Sequence, residues 1–424
     1  MTTPQIAAAL VVTDDARDLH GCLQSLRQLG GLLSEICIYG VGAPELTLAY
    51  ARNAGAKVEV GDIDGGLAVA RNRAACMTDA PWVLALDPNE RLRCDPDKIA
   101  RLVAVRADMV VEPDALSVEV SRGRGYGVEP QRQPRLYRPD RAHFVGAVDE
   151  HLVPVEGDRK LVALTPGADV LSVWALVDEH VPGVERERLE RRHARACAAL
   201  ARLEAEGIGG NDLVGALVER SRVRRALGDD NGALDDLNRA RHTPASDSYR
   251  WRARQDLATL LIEHGYYEGA SNLIGQLRAD GADEGYSDWL TAQVAAAQGQ
   301  ARDALRILRR LSEVSSADGR IIATPEILTE TMVMATRLGR VDEALDCCLQ
   351  LVARHRLVER HGRMLLKLWG SRGPDGLARA LIGAGGPHLD DVAEGFDRFG
   401  GLGSDVAAAL RAVKEEKPVA MRVM

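Results

Sequence analysis

The chain has 424 residues, 46% of them hydrophobic, and a net charge of −8, which suits two or three soluble domains of about 100–200 residues each. This acidic balance excludes a protein that tracks nucleic-acid phosphates, because such proteins are basic. The N-terminus lacks a basic region with a cleavage site, and no apolar run reaches the roughly 18 residues of a membrane helix. Seven cysteines without a CxxC pair are typical of a reducing compartment, so we expect a cytoplasmic protein without a membrane span.

Short apolar runs alternate with amphipathic stretches through roughly the first 90 residues. The runs that predict strands are Ala7–Val12, Ile36–Tyr39, Lys57–Val60 and Trp82–Asp87. The stretches that predict helices are about 15–29, 45–54 and 66–78. Strands separated by helices indicate βαβ units and a mainly parallel sheet. Ligands bind outside the carboxyl ends of such strands, so functional residues are expected directly after each run.

Between about residues 108 and 174, short β-like runs are joined by Gly-, Pro- and Arg-rich segments. The runs are Asp108–Glu112, Leu116–Ser121, Arg135–Tyr137, Leu161–Thr165 and Asp169–Trp174. The segment Ser121–Pro134 predicts a long loop, and long loops in compact domains are often functional lids. We therefore place a first, α/β domain at residues 1–182.

The rest of the chain reads as helical and contains a repeat. Four glycines close apolar helical stretches, and each is followed five residues later by an alanine that opens a second helix. The pairs are Gly228 and Ala233, Gly265 and Ala270, Gly299 and Ala304, and Gly339 and Ala344. The glycine spacings of 37, 34 and 40 residues fit a helix–turn–helix unit near 34 residues, in which glycine ends the first helix and alanine permits close packing.

This pattern resembles the tetratricopeptide repeat (TPR); an irregular helical bundle is the alternative. The predicted organisation is an α/β domain at 1–182, a linking helix at 183–209, TPR-like repeats at 210–357 and a C-terminal helical cap at 358–424.

The most informative segment is Gly65–Leu92. It predicts a helix containing Ala70-Arg71-Asn72, a buried strand, and a polar turn with Asp87, Asn89 and Glu90. Acids and amides after a buried strand are suited to a divalent cation, because hard cations take oxygen ligands. A second pair of motifs reads Arg135-Leu136-Tyr137-Arg138 and Gly146-Ala147-Val148-Asp149-Glu150.

In order and spacing these motifs resemble those of the family 2 glycosyltransferases that carry C-terminal helical repeats. The resemblance covers roughly residues 5–195 and implies a GT-A fold that binds a nucleotide-diphospho-sugar. It implies an inverting, metal-assisted transfer of a hexose to an acceptor, with Mn²⁺ or Mg²⁺ and basic side chains neutralising the departing diphosphate. A carboxylate would deprotonate the acceptor.

Carried onto this chain, the family pattern assigns each candidate residue a role. The catalytic candidates are Glu150 and Asp149; the donor-binding candidates are Arg71, Asn72, Asp87, Arg135 and Arg138; the metal candidates are Asp87, Asn89 and Asp149. Each has a structural alternative: a helix anchor for Arg71 and Asn72, a strand end for Asp87, a solvated loop carboxylate for Glu150.

Four departures from the family pattern leave a second hypothesis open. Tyr39, Asn89, Asp149 and Val173 stand where the family has an aspartate, an aspartate, a histidine and a histidine. The first hypothesis is an active glycosyltransferase whose repeats hold a protein or peptide acceptor. The second is a catalytically degenerate scaffold whose repeats mediate homodimerisation or partner binding.

Overall fold

A computed structural model describes the parts of the chain considered below. They are residues 6–13, 18–62, 66–104, 112–122, 131–146, 150–156, 159, 161–164, 166, 170–175, 182–317, 321–322, 324–385 and 389–416. Contacts divide the chain into two compact units, one holding the sheet and the helices as far as Leu260, the other holding the helices from Leu261 onward.

The first unit begins with eleven strands, four helices and a 3-10 turn among the described residues. The strands are β1 Ile6–Thr13, β2 Leu33–Val41, β3 Lys57–Gly61, β4 Trp82–Leu86, β5 Glu90–Cys94, β6 Ala115–Arg122, β7 Gln131–Tyr137, β8 Ala142–Val145, β9 His151–Pro154, β10 Ala163–Leu164 and β11 Leu171–Ala175. The helices are α1 Leu19–Ser25, α2 Glu45–Asn53, α3 Leu67–Ala75 and α4 Pro96–Val103, with the 3-10 turn at Leu26–Leu32.

Nine of these strands form one mixed sheet in the order β3-β2-β1-β4-β7-β6-β11-β5, with β10 beside β6. Strands β1 to β4 are mutually parallel, and β7 runs antiparallel between β4 and β6. The chain moves outward from β1 to β3 and then returns to place β4 on the other side of β1. The gap between the ends of β1 and β4 is therefore the switch point, where open sheets of this kind bind ligands.

The sheet is packed on both faces, which explains the unbroken apolar run of β4. Leu84 and Leu86 join a core with helices α1, α2 and α4, whereas Val83 and Ala85 face a second core with α3, Tyr137 and Phe144. All five residues of β4 are buried. A strand covered on both sides reads as continuous hydrophobicity rather than alternation.

Thirteen helices and a short hairpin account for the described part of the chain after residue 181. The helices are α5 Pro182–Ala205, α6 Gly210–Leu227, α7 Asp230–His242, α8 Asp247–Glu263, α9 Tyr267–Ala279, α10 Glu284–Ala297, α11 Ala301–Leu308, α12 Thr324–Arg337, α13 Val341–Ala353, α14 Val358–Trp369, α15 Pro374–Gly383, α16 Leu389–Asp397 and α17 Leu402–Glu416. The hairpin consists of β12 Val314–Ser315 and β13 Ile321–Ile322.

The predicted glycine–alanine repeat is present in all four positions. The glycines have left-handed φ angles, 85° at Gly228, 79° at Gly265, 78° at Gly299 and 68° at Gly339. The paired alanines are fully buried, with 0% exposure at Ala233, Ala270, Ala304 and Ala344. A mixed-sheet domain is therefore followed by a helical-repeat domain that resembles TPRs.

Some expectations of local structure were incomplete. Strands β5, β8 and β9 were not predicted. β5 mixes charged with apolar side chains, and β8 and β9 have only four residues each, with a histidine among the apolar side chains. The predicted loop Ser121–Pro134 was too long: β6 extends to Arg122 and β7 begins at Gln131, while 123–130 lie outside the described residues. Much of Asp108–Glu112 lies outside them too. The proposed domain boundaries stay predictions.

Candidate functional site

Asp87 lies at the switch point because it directly follows β4, the neighbour of β1. Its side chain is 38% exposed, although the strand before it is buried. The backbone N–H of Asp87 itself donates to Oε2 of Glu90 at 2.8 Å. This hydrogen bond closes the tight turn between β4 and β5. The sequence placed Asp87 correctly at the end of a buried strand.

Arg71 connects Asp87 with Glu150. It projects from α3, and its Nη2 donates to Oδ1 of Asp87 at 2.6 Å while its Nε donates to Oε1 of Glu150 at 2.7 Å. The guanidinium also lies 5.6 Å from the centre of the Phe144 ring, within cation–π range. Three predicted residues, Arg71, Asp87 and Glu150, are thus brought together.

Burial makes this ion-pair network unusual. Arg71 is 6% exposed, and burial alone would lower its pKa, but the charges and hydrogen bonds of Asp87 and Glu150 outweigh burial and raise the pKa above its ordinary value. Arg71 is therefore permanently charged. Its Nη1 is buried and has no hydrogen-bond partner among the residues that the structure describes; a buried donor left unsatisfied costs about 1–3 kcal/mol.

A second arginine approaches the same turn. Nη2 of Arg135, on β7, donates to Oε1 of Glu90 at 3.3 Å and lies 3.9 Å from Oδ2 of Asp87. Glu90 is 2% exposed, and burial raises its pKa although the charge of Arg135 opposes this. The site thus contains three carboxylates, of Asp87, Glu90 and Glu150, held by two guanidinium groups.

Asn72, predicted as a donor-binding residue, contacts the backbone of β8. Its Nδ2 donates to the carbonyl of Phe144 at 2.8 Å, and its Oδ1 accepts from the N–H of Phe144 at 2.9 Å. Both ends of the amide therefore hold β8 against α3, as in the helix-anchor alternative.

Arg138, also predicted to bind the donor, lies apart from the other candidates. Tyr137 pairs with Val83 in antiparallel β7, so Arg138 lies beside the beginning of β4, at the opposite edge of the sheet from Asp87. It donates to Glu112 and Asp140, each at 3.0 Å. Together with Asp140, Arg141, Glu156 and Arg159 it lines a cavity of about 310 Å³. The structure does not bring it to the switch point.

The predicted metal ligands are only partly described. Asp87 contacts Arg71, Asn89 is half-buried in the turn, and Asp149 lies outside the described residues. Within the described part of the chain there is no group of three or more His, Cys, Asp or Glu side chains that could hold a metal ion. The divalent cation stays a prediction.

Two positions at which the glycosyltransferase resemblance fails have clear structural roles. Val173 is 1% exposed and belongs to the core on the α1 side of the sheet. Tyr39 extends its hydroxyl over Gly61, within 2.0 Å of where a Cβ at that position would lie. Glycine at 61 therefore leaves room for the side chain of Tyr39.

Comparison with known proteins supports the repeats. No protein-family model matches the chain. A curated protein of Synechococcus elongatus, described as a TPR repeat-containing protein, is 29% identical over 195 residues, 44% of this chain and 44% of that protein. The chain thus matches less than half of that relative's length. The resemblance to TPRs is supported, and nothing found supports a glycosyltransferase identity.

Solved structures of TPR proteins are similar to part of the chain. One from Parabacteroides merdae has a TM-score of 0.35 and 14% identity, over 54% of this chain and 78% of that chain. One from Thermus thermophilus has a TM-score of 0.26 and 17% identity, over 50% and 95%. Both TM-scores are too low to establish a shared fold. Among the described helices, none is long and apolar enough to cross a membrane.

Proposed function

We propose that this chain is a partner-binding protein, in which the helical repeats hold another protein or a second copy and the sheet domain is a degenerate glycosyltransferase-like scaffold. One observation carries the second half of this proposal: the carboxylates at the switch point are held by the protein's own arginines. Glu150, the candidate base, is engaged by Arg71 and its side chain is 12% exposed. Its Oε1 already accepts from Nε of Arg71 at 2.7 Å, so an acceptor hydroxyl would have to displace the guanidinium to reach this oxygen.

The helical repeats support the first half. Repeats of this kind stack into extended surfaces that bind other chains, and the curated relative is itself described by its TPRs. Ion pairs join α6 to the next two helices within the first unit: Arg220 of α6 donates to Asp236 of α7 at 2.5 Å, and Arg222 of α6 donates to Asp256 of α8 at 2.7 Å. Such pairs fix the helices at defined positions, as a binding surface requires.

Active glycosyl transfer is the second candidate, and one observation favours it. Asp87 lies at the switch point with a partly exposed carboxylate, next to Nη1 of Arg71, for which the described part of the chain supplies no hydrogen-bond partner. A diphospho-sugar with Mn²⁺ or Mg²⁺ would then bind there, and Asp87 and Arg135 would contact it. This candidate requires the Arg71 ion pairs to rearrange when the donor binds.

A donor panel distinguishes the two functions. The full chain and its Asp87→Asn variant are titrated with UDP- and GDP-sugars in the presence of Mn²⁺ or Mg²⁺, followed by calorimetry and by release of the nucleoside diphosphate. The scaffold predicts no saturable heat and no release from either protein. Saturable binding with release, both lost in the Asp87→Asn variant, would establish the enzyme and refute the scaffold.

A further inference from the structure

The guanidinium of Arg71 contacts Asp87, one of the three residues to which the family resemblance assigns a metal ion. A cation there would use Asp87, the carboxylate at the end of β4, and would neutralise the charge of a diphosphate. In this chain Nη2 of Arg71 already lies 2.6 Å from Oδ1 of Asp87. A divalent ion binds carboxylate oxygens at roughly 2.0–2.6 Å, so the ion and the guanidinium would compete for the same oxygen.

Arg71 cannot leave this position without a large cost. Its side chain is 7% exposed, and it also holds Glu150, whose side chain is 12% exposed. Moving the guanidinium away would strand a buried carboxylate without its partner, which is among the more destabilising changes in a protein interior. The Phe144 ring beneath the guanidinium adds a further contact.

Among the described residues, the remaining oxygen ligands do not form an alternative cage. Both carboxylate oxygens of Glu90 already accept hydrogen bonds, Oε2 from the Asp87 N–H and Oε1 from Arg135. A metal ion would have to compete with these donors for either oxygen. The second family aspartate is an asparagine, Asn89, which supplies a carbonyl without a charge. In the described residues no group of three acidic, histidine or cysteine side chains is arranged to hold an ion.

We infer that the guanidinium of Arg71 is the built-in cation of this site, neutralising Asp87 and Glu150 and excluding a divalent metal ion. Divalent ions would gain access only when this positive charge is removed. The inference shares the Arg71 ion pairs with the proposed function but makes a separate claim, about metal binding alone. The test therefore uses Mn²⁺ without any nucleotide-sugar, so that its outcome is independent of donor binding.

The experiment titrates Mn²⁺ into the full-length protein and follows free Mn²⁺ by electron paramagnetic resonance. The variants are Arg71→Gln, the double variant Arg71→Gln with Asp87→Asn, and Arg73→Gln as matched control. Arg73 lies on the same helix but is exposed, so its substitution removes an equal charge without opening the site. We expect Arg71→Gln to bind one Mn²⁺ at least tenfold more tightly than the wild type, the double variant to lose this site, and Arg73→Gln to match the wild type.

Two results would overturn the inference. One is a wild-type Mn²⁺ site that disappears in the single variant Asp87→Asn, since the ion would then bind despite Arg71. The other is a folded Arg71→Gln protein, verified by circular dichroism, that binds Mn²⁺ no better than the wild type. Should Arg71→Gln fail to fold, the comparison of wild type with Asp87→Asn decides alone: absence of an Asp87-dependent site supports the inference and its presence refutes it.

Discussion

At the scale of single residues, the sheet domain buries charged side chains at both edges of the sheet. Arg71 and Asp87 were both selected from the sequence, because one belongs to a helix motif and the other ends a buried strand. Arg71 also contacts Glu150, which lies 79 residues further along the chain. Nothing in the sequence spacing predicts that contact. It depends on the unpredicted hairpin of β8 and β9, which Asn72 fastens to α3 through Phe144.

Asp114 is the most completely buried carboxylate at the other edge of the sheet. It is 0% exposed and accepts from Arg141, from Arg159 and from the backbone N–H of Val162. Burial would raise its pKa, but these hydrogen bonds outweigh burial and lower it. We predict that Asp114→Asn reduces the free energy of unfolding by about 1–3 kcal/mol.

Urea denaturation measures this loss, with Asp140→Asn as the matched control. Asp140 has a side chain that is 62% exposed, and surface ion pairs contribute about 0–1 kcal/mol. The free energy of unfolding of the Asp140→Asn control should therefore fall only slightly. Equal losses in both variants would show that burial of Asp114 is unimportant for stability.

His361 in α14 gives the helical domain a defined pH response. It is 4% exposed, and burial, with a smaller contribution from Arg360, lowers its pKa from 6.5 to about 4. Above pH 6.5 both the folded and unfolded states are neutral at this site. Between pH 6.5 and about 4 the unfolded chain takes up a proton that the folded chain does not, so stability falls, by at most about 1.4 kcal/mol per pH unit.

To test this response, the free energy of unfolding is measured above pH 6.5 and at about pH 5. We predict that His361→Gln makes the loss between these two conditions smaller than in the wild type. The variant His242→Gln, at an exposed position, should keep the wild-type pH dependence. A His361→Gln protein with an unchanged pH dependence would contradict the assignment.

At the scale of elements, the repeats were the most predictable feature of the chain. The glycine–alanine spacing is local information. The turn that ends the first helix requires a glycine with a left-handed φ angle, and the second helix requires a small residue five positions later, where it contacts its neighbour closely. The four-residue strands β8 and β9 and the charged strand β5 carry no comparable local signal and were missed. Their pairing depends on distant segments, such as β5 with β11.

A pair of identical substitutions tests the role of the turn glycines. Gly299 has φ 78°, and Gly275 lies inside α9 without a left-handed φ; an added Cβ would meet no atom within 4 Å at either position. The added methyl group therefore makes no steric clash in either variant, and the two variants differ only in backbone conformation. We predict that Gly299→Ala destabilises the protein by about 1–2 kcal/mol, whereas Gly275→Ala stabilises it by about 1 kcal/mol.

Thermal and urea unfolding of both variants measure whether each substitution lowers or raises the free energy of unfolding. A Gly299→Ala protein as stable as the wild type would mean that the turn tolerates another backbone conformation. In that case the glycine spacing would not mark repeat boundaries in this chain.

At the scale of the whole molecule, a sheet domain whose switch-point carboxylates are paired with arginines is followed by a series of TPR-like helices. The resemblance of the first domain to glycosyltransferases stays a prediction, as do its nucleotide-sugar, its metal ion and a cytoplasmic location. The helical repeats are supported by both the structure and a curated relative. Binding of another protein chain is therefore the central claim.

Mass photometry tests that claim most directly. The 424-residue chain, with a mass of 45.8 kDa, is purified, sized alone, then incubated with extract of its native cells, recovered and sized again. We predict a discrete assembly heavier than the single chain, either a dimer before incubation or a stoichiometric complex with one identified protein after it, that re-forms from purified components. A single chain of 45.8 kDa in both samples would contradict the proposed function.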